Sequence, residues 1–357
     1  MAKFNINDPE AVAIREKVQK LSAEYDEVEL YDTISIEEVR QFEADNNVRL
    51  PDDYVWFITN VGDGGMWYNG MYRFYPLKEA EFSYEELSGY KRGREKYALN
   101  VLSKGCSYSF GIILCDEHFG EISSNDGLFA SYSPKMTVHG FKELMLKWLD
   151  EACLGYELRF LEQRSFGTIE EDLVQYRKEH DIFLLSSIYS KVTIEITPEQ
   201  FVSDCYDLFL NETVNKNKVL LASILFKAGY GETFSVLDSI FLPENYNEIV
   251  YLLGMPKRYY KNKEKCELSE DAGRYYPMLV KMMKHYENAQ KNEYHFRKCF
   301  DMTVLNPNFN AKDIEGILES DEKEFLTFLT HYVSGEKILE RVGKYVEKAK
   351  IKYANKS

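Results

Sequence analysis

The stretch ISIEEVRQFEADNNVRLPDDYVWFITNVGDGG, residues 34–65, carries the clearest structural pattern in the first half of this chain. Ser35 followed by Glu38 has the spacing of a capping box, which predicts that a helix begins there. Pro51 suits the first position of a second helix, and the two aspartates after it favour its first turn because the helix dipole attracts negative charge. Gly62 stands where a left-handed cap would end that helix. The stretch therefore predicts two short amphipathic helices followed by a glycine loop.

Strand patterns follow the glycine loop. Asn69-Gly70 lies between aromatic residues and is typical of a tight β-hairpin. Residues 108–115 form the clearest central strand, and weaker strands are expected at 119–123 and 129–132. Residues 79–90 are expected to form a short polar helix or a structured loop. This region therefore predicts an antiparallel or mixed sheet.

Helices flank the strands and fill the second half of the chain. A helix is expected at 8–25, and apolar spacing predicts another at 141–152. Residues 1–158 are thus predicted to be an α+β domain with an extra N-terminal helix, and residues 159–357 an all-helical domain of a type that the sequence does not specify. In the second half, residues 182–196 are ambiguous, and helices are expected near 169–180, 215–229, 232–241, 245–253, 270–300, 311–332 and 334–352.

The ordered set of motifs in the first half resembles the SUKH superfamily over residues 28–155. The residues that carry the resemblance are Leu50, Pro51, Asp52, Asp53, Tyr54, Gly64 and Gly65. That superfamily groups yeast regulators of cell-wall synthesis with bacterial immunity proteins that neutralise secreted toxins. The resemblance implies a closing helix at 141–152 and a function in protein binding without catalysis, and it does not extend to the second half.

The net charge of −15 is concentrated in the first half of the chain. Residues 1–155 hold 16 Lys and Arg against 27 Asp and Glu, whereas residues 156–357 hold 28 against 32. Such a field repels nucleic acid and attracts basic proteins, although an acidic surface also serves ordinary solubility. The N-terminus lacks the apolar core of a secretory signal and no apolar run could cross a bilayer, so we expect a cytoplasmic protein that does not contact membranes.

Catalytic and metal-binding patterns are missing from the sequence. The glycines of 62–65 have no Lys-Ser/Thr after them, which favours a cap and turn over a phosphate loop. Cys115 and His118 have a spacing that zinc sites use, but no second pair of ligands accompanies them, so a hairpin turn is favoured. The basic run 257–265 is interpreted as a solvated loop, and the six cysteines as buried free thiols. We therefore expect no catalytic residue, no metal and no cofactor.

The sequence alone favours an immunity protein that binds and blocks a cognate toxin, for example a nuclease. The alternatives are an intracellular scaffold or regulator, and an enzyme whose site lies in the helical half. The toxin, the interface and the oligomeric state are left open. Acidic loops and the aromatic hairpin are expected to form the contact surface, with an exposed Trp67 or Tyr68 at its centre. The residues assigned to partner binding are Asp63, Trp67, Tyr68, Asp116, Glu117 and His118.

Overall fold

The computed structural model describes residues 8–26, 28–67, 72–87, 91–126, 128–132, 137–156, 164–193, 195–254, 260–262, 267–286 and 293–355. The chain divides into two compact units, Met1–Val192 and Thr193–Ser357. This division falls later than the predicted domain boundary after residue 158, because two further helices group with the first unit. Whether the boundary of independent folding lies after residue 158 stays a prediction.

Four helices share a hydrophobic core with the sheet of the first unit. The Ser35 hydroxyl accepts the Glu38 amide and the Glu38 carboxylate accepts the Ser35 amide, which is the predicted capping box. Pro51 is the N-cap of the third helix and not its first residue. Gly62 does not adopt a left-handed conformation, so its predicted role as a cap is wrong. The helices are α1 (Pro9–Glu24), α2 (Ile36–Asn46), α3 (Asp52–Asn60) and α4 (Phe141–Cys153).

Nine strands form one sheet in the order β1-β2-β3-β6-β7-β8-β9-β4-β5. All neighbouring pairs are antiparallel except β4 with β9, so the predicted mixed sheet with helices is confirmed. The strands are β1 (Glu29–Leu30), β2 (Gly65–Trp67), β3 (Tyr72–Phe74), β4 (Phe82–Leu87), β5 (Lys91–Arg92), β6 (Ala98–Gly105), β7 (Tyr108–Ile113), β8 (Ile122–Asp126) and β9 (Phe129–Tyr132).

Five of these strands close into a ring, because β4 pairs with both β6 and β9. The inside of this ring combines a small apolar cluster that includes Ala98, Ile113 and Ala130 with a polar network. The Asn100 Oδ1 atom accepts hydrogen bonds from Ser83 Oγ at 2.9 Å, from Ser109 Oγ at 3.2 Å and from the Asn125 amide. Gly111 leaves room for this network, since a Cβ there would lie 2.5 Å from Asn125 Nδ2. All four polar residues are buried.

The opposite face of the ring strands packs into the main hydrophobic core. Residues such as Leu99 and Phe110 point to this side, where they join apolar residues from α1 to α4. Aromatic rings at its centre meet edge to face, as Tyr54 and Phe141 do with centroids 4.9 Å apart. Helix α1 contributes four fully buried residues, so the predicted extra N-terminal helix is part of this core.

Helices make up most of the remaining chain. The first unit ends with α5 (Ile169–Glu179) and α6 (Ile182–Lys191). In the second unit a short antiparallel pair, β10 (Tyr260–Asn262) and β11 (Glu267–Leu268), accompanies the helices. Its α-helices are α7 (Glu199–Asn211), α8 (Asn215–Lys227), α9 (Thr233–Ser239), α10 (Tyr246–Leu253), α11 (Tyr276–Tyr286), α12 (Glu293–Leu305), α13 (Glu315–Leu318), α14 (Lys323–His331) and α15 (Glu336–Ala354).

Several expectations are corrected by these elements. Within residues 79–90 the structure has strand β4 in place of the expected helix or loop. The ambiguous residues 182–196 begin with helix α6, whose first turn is capped by the Asp181 carboxylate. The prediction of buried thiols holds for Cys205 and Cys299 but fails for Cys106, which is exposed at the β6–β7 turn, and for Cys115 and Cys153, which are partly exposed. Cys266 lies outside the described residues.

No helix in the described part of the chain is long and apolar enough to span a bilayer.

Candidate functional site

Asp63, the first residue assigned to partner binding, lies inside the protein. Its amide donates to the Asp32 carbonyl, and its Oδ1 atom accepts the Leu77 amide at 2.9 Å. The next residue, Gly64, has φ +97° and a Cβ there would meet Pro76 at 2.8 Å. The loop after α3 is thus held against the connection that follows β3. The expectation that Asp63 contributes to an exposed contact surface is wrong, because only 6% of this residue is accessible.

Burial also changes the electrostatics of this loop. Loss of solvent raises the pKa of the Asp63 carboxyl to about 6, and the hydrogen bond from Leu77 opposes that rise. Burial likewise raises the pKa of Tyr54, with a smaller contribution from Asp63. Both groups belong to the interior of the fold.

Trp67 is fully buried, so the expected exposed aromatic centre of the interface is wrong at this position. Its indole lies against Trp148 of α4 and beside Phe74 of β3. Tyr68 lies outside the described residues. Alternation along the hairpin therefore directs Trp67 into the core, where α4 covers it.

The turn of residues 116–118 is exposed, as a contact surface requires. It forms one turn of 3-10 helix after β7, and the Glu117 side chain is 87% accessible. His118 stacks on Tyr132 with ring centroids 3.7 Å apart, and its Nδ1 lies 3.4 Å from a Glu121 carboxylate oxygen. The backbone of Asp116 belongs to the turn, and its side chain is outside the described part. The turn is therefore anchored by His118 and presents Glu117 outward.

The predicted residues do not form one site. Among the described residues, no hydrogen bond, ion pair or ring contact joins Asp63 or Trp67 to the turn at 116–118. Of the predicted residues that the structure describes, only those of the turn keep the expected surface position.

A groove of about 770 Å³ adjoins this turn and was missed by sequence reasoning. One wall is the C-terminal end of α2 and the residues after it, and the other is formed by the turn before β6 and the end of β7. The groove is lined by Glu43, Ala44, Asn46, Asn47, Val48, Arg49, Glu95, Lys96, Leu114 and Cys115. The residues Leu114 and Cys115 lead directly into the 116–118 turn.

Local contacts hold both walls of the groove in place. Asn47 ends α2 in the left-handed conformation, and the Leu50 amide donates to the Glu43 carboxylate at 2.8 Å. The Lys96 ammonium donates to the Asn46 carbonyl at 2.5 Å and joins the two walls. The Arg49 guanidinium lies 5.6 Å from the ring centre of Phe119, beside the acidic turn. The groove and the turn thus form one continuous surface with fixed backbone, which we call the α2–turn surface.

The chemistry of the α2–turn surface suits recognition. Its walls present amides and side chains of both charges, and the turn adds Glu117 and His118. Within the described ranges no three His, Cys, Asp or Glu side chains are placed to hold a metal ion. Such a mixed polar surface is typical of the rim of a protein–protein interface.

Comparison with known proteins finds a similarity for part of this architecture. A family model, SMI1 / KNR4 family (SUKH-1), matches residues 33–131. The match includes α2, α3, strands β2 to β8 and all but the last residue of β9, and with them the whole α2–turn surface. None of the curated proteins compared matches the chain. Residues 33–131 are therefore similar to the SMI1 / KNR4 family (SUKH-1). Helix α1 and strand β1 precede the matched residues, and α4 and the other helices follow them.

Proposed function

We propose that this protein binds another protein without catalysis, and specifically that it is a bacterial immunity protein that binds and neutralises a cognate toxin. The match to the SMI1/KNR4 family supports protein binding, because the superfamily is generally non-enzymatic and includes immunity proteins. We expect it to act in the cytoplasm, where a toxin that enters the cell would meet it.

The observation that carries the proposal is the α2–turn surface. It is the part of the family-matching region where an open groove of about 770 Å³ continues into an exposed acidic side chain. A groove that is fixed by backbone contacts loses little conformational entropy when it is filled. It therefore fits a protruding segment of a folded partner.

The charge of the first half indicates a basic partner. Residues 1–155 carry a net charge of −11, and Glu95 and Glu117 are both exposed at the α2–turn surface. Attraction over long distances accelerates the encounter of oppositely charged proteins, and it weakens as salt is added because the screening length is about 10 Å at 0.1 M. A basic toxin such as a nuclease meets this description.

The direct test is to co-purify the protein with the product of the neighbouring gene and to measure binding. Ala44 is an exposed residue that lines the groove on α2, so Ala44→Trp fills the groove without disturbing the core. We expect this variant to dissociate at least tenfold faster from the partner. Ala13→Trp, on the exposed side of α1, is the matched control and should bind as the unmodified protein does.

A second variant separates charge from shape. Glu117→Gln should slow association at low salt and leave the dissociation rate nearly unchanged, since exposed charges act mainly on encounter. If Ala44→Trp leaves binding unchanged and the association rate does not depend on salt, the interface does not lie on the α2–turn surface. Capture of several unrelated proteins, with no toxin among them, would favour a scaffold or regulator.

A further inference from the structure

Five charged side chains are buried where α4 meets the chain segment before α5 and the helices α5 and α6. None of them is more than 6% accessible. Removing so many charges from water is costly unless each finds partners of opposite charge or several hydrogen bonds. The residues of this buried charge cluster are Lys147 and Glu151 on α4, Arg164 before α5, Asp172 on α5 and Lys191 on α6.

Four members of the cluster form two ion pairs. The Lys191 ammonium lies 3.0 Å from an Asp172 carboxylate oxygen, and Arg164 pairs with Glu151 across the junction with α4. Asp172 also accepts hydrogen bonds from Ser165 at 2.5 Å and from Ser187 at 2.8 Å. These contacts compensate one cation on α6 and one before α5.

Lys147 is the remaining cation and has no carboxylate of its own. Its ammonium donates to the Thr137 hydroxyl at 3.0 Å and to the Arg164 carbonyl, and it lies 4.4 Å from the ring centre of Phe166. All three contacts are to uncharged groups. With every member ionised the cluster has three cations and two anions, and a single proton lost from Lys147 would make it neutral while both ion pairs remain.

The cluster is also the polar attachment of the α5–α6 pair to α4. The hydrophobic core that includes α4 draws its members from α1 to α4 and the strands, and it contains no residue of α5 or α6. Across the junction, Arg164 contacts Lys147 and Glu151, the two cluster residues of α4, and its carbonyl also accepts the Thr137 hydroxyl. The strength of this attachment therefore depends on charge.

We propose that the buried charge cluster is a pH-sensitive latch, which holds the α5–α6 pair on α4 more tightly when Lys147 gives up its proton. Burial lowers the pKa of Lys147 to about 8. The groups facing it are Glu151 of α4 and Asp172 of α5, which favour the protonated form, and Arg164 and Lys191, which disfavour it.

The direction of the effect follows from proton linkage. The pKa of Lys147 in the docked state is below the ordinary value of 10.5, so the docked state binds fewer protons than the released state between these values. The equilibrium constant for docking therefore increases as pH rises from about 8 towards 10.5, and it is constant below about pH 7. A pKa of about 8 corresponds to roughly a tenfold gain in the docking equilibrium between pH 7 and pH 9.

The test is hydrogen exchange of the full-length protein at pH 7 and pH 9, with labelling times scaled to the intrinsic exchange rates. Peptides from α5 and α6 should gain about tenfold in protection at pH 9 relative to peptides from α3. Lys147→Met keeps the aliphatic part of the side chain and removes the charge, so α5 and α6 should be equally protected at both pH values in that variant. Lys20→Met, an exposed residue of α1, should keep the response of the unmodified protein.

Two results would overturn the latch. Equal protection of α5 and α6 at pH 7 and pH 9 in the unmodified protein would do so without any variant. A full pH response in folded Lys147→Met would assign the response to another group.

Discussion

The indole rings of Trp67 and Trp148 meet edge to face with their centroids 4.5 Å apart. Trp67 belongs to strand β2 within residues 33–131, whereas Trp148 belongs to α4, which lies after the family match. The same pattern holds for Tyr54 and Phe141. The family-matching region thus completes its core with a helix that the match does not include.

The first prediction concerns Trp67. Because its side chain is fully buried against Trp148 and Phe74, Trp67→Ala should lower the free energy of unfolding by about 3 to 5 kcal/mol. Urea denaturation followed by circular dichroism measures this loss. Tyr108→Ala, at a half-exposed ring, is the control and should change stability by less than about 1 kcal/mol. If the Trp67→Ala protein has normal stability, Trp67 is not a core residue and becomes a candidate for the contact surface again.

The second prediction concerns the pH dependence of stability through Asp63. Its pKa in the folded protein is about 6, above the ordinary 3.8, so the folded state holds this proton more tightly. The contribution of Asp63 to stability is therefore present at low pH and lost as pH rises from about 4 to 6. Asp63→Asn keeps an oxygen for the Leu77 amide and carries no charge, so it should be about 1 to 2 kcal/mol more stable than the unmodified protein at pH 7.5.

Thermal unfolding between pH 4 and pH 7.5 tests this expectation. Asp126→Asn, an exposed residue at the end of β8, is the control and should leave the curve unchanged. An Asp63→Asn protein whose stability varies with pH as before would assign the dependence to other carboxylates.

The third prediction concerns the polar interior of the strand ring. Asn100→Ala removes the acceptor shared by Ser83, Ser109 and Asn125 and leaves buried donors unpaired. We expect a loss of about 2 kcal/mol or more in the free energy of unfolding, because each unsatisfied buried group costs about 1 to 3 kcal/mol. Ser131→Ala, on an exposed part of β9, should cost far less. An Asn100→Ala protein with an unchanged free energy of unfolding would contradict this prediction and would indicate that water replaces the Asn100 amide.

The fourth prediction compares two fragments of the chain. Residues 1–192 keep the buried charge cluster intact, whereas residues 1–160 lack Arg164, the partner of Glu151 on α4, and the Asp172–Lys191 ion pair. We expect the longer fragment to be soluble and to unfold in one cooperative transition, and the shorter one to be less stable. Separate expression and limited proteolysis measure this. A shorter fragment of equal stability would place the folding boundary after residue 158.

Local patterns predicted the helices of the first half well. The Ser35–Glu38 capping box requires only four neighbouring residues, and it is formed as expected. The buried face of α4 follows directly from its apolar spacing. Such features depend on contacts between residues close in sequence, and single-sequence reasoning detects them.

The features that sequence reasoning missed depend on distant partners. In β6, Asn100 is buried because Ser83 and Asn125 on other strands of the ring provide its hydrogen bonds. A polar residue at this position interrupts the apolar pattern, so the sequence did not predict strand β6. Trp67 is buried against Trp148 of α4, and no local pattern places that helix over it. The groove beside Glu43 arises where Glu95 and Lys96 come close to the end of α2, and these residues are far apart in sequence.

The closed strand ring also imposes an order on folding. Strand β4 precedes every other member of the ring in the sequence, yet its parallel partner β9 is the last of them. Long loops close slowly because their ends must meet against chain entropy, so neighbouring hairpins such as β7–β8 form sooner than the β4–β9 pair. The hydrogen bond from the Tyr84 amide to the Leu128 carbonyl, at 2.8 Å, therefore forms at that final step. During refolding we expect the Tyr84 amide to gain protection from hydrogen exchange after the amides of β7, because the β4–β9 pairing closes the ring last.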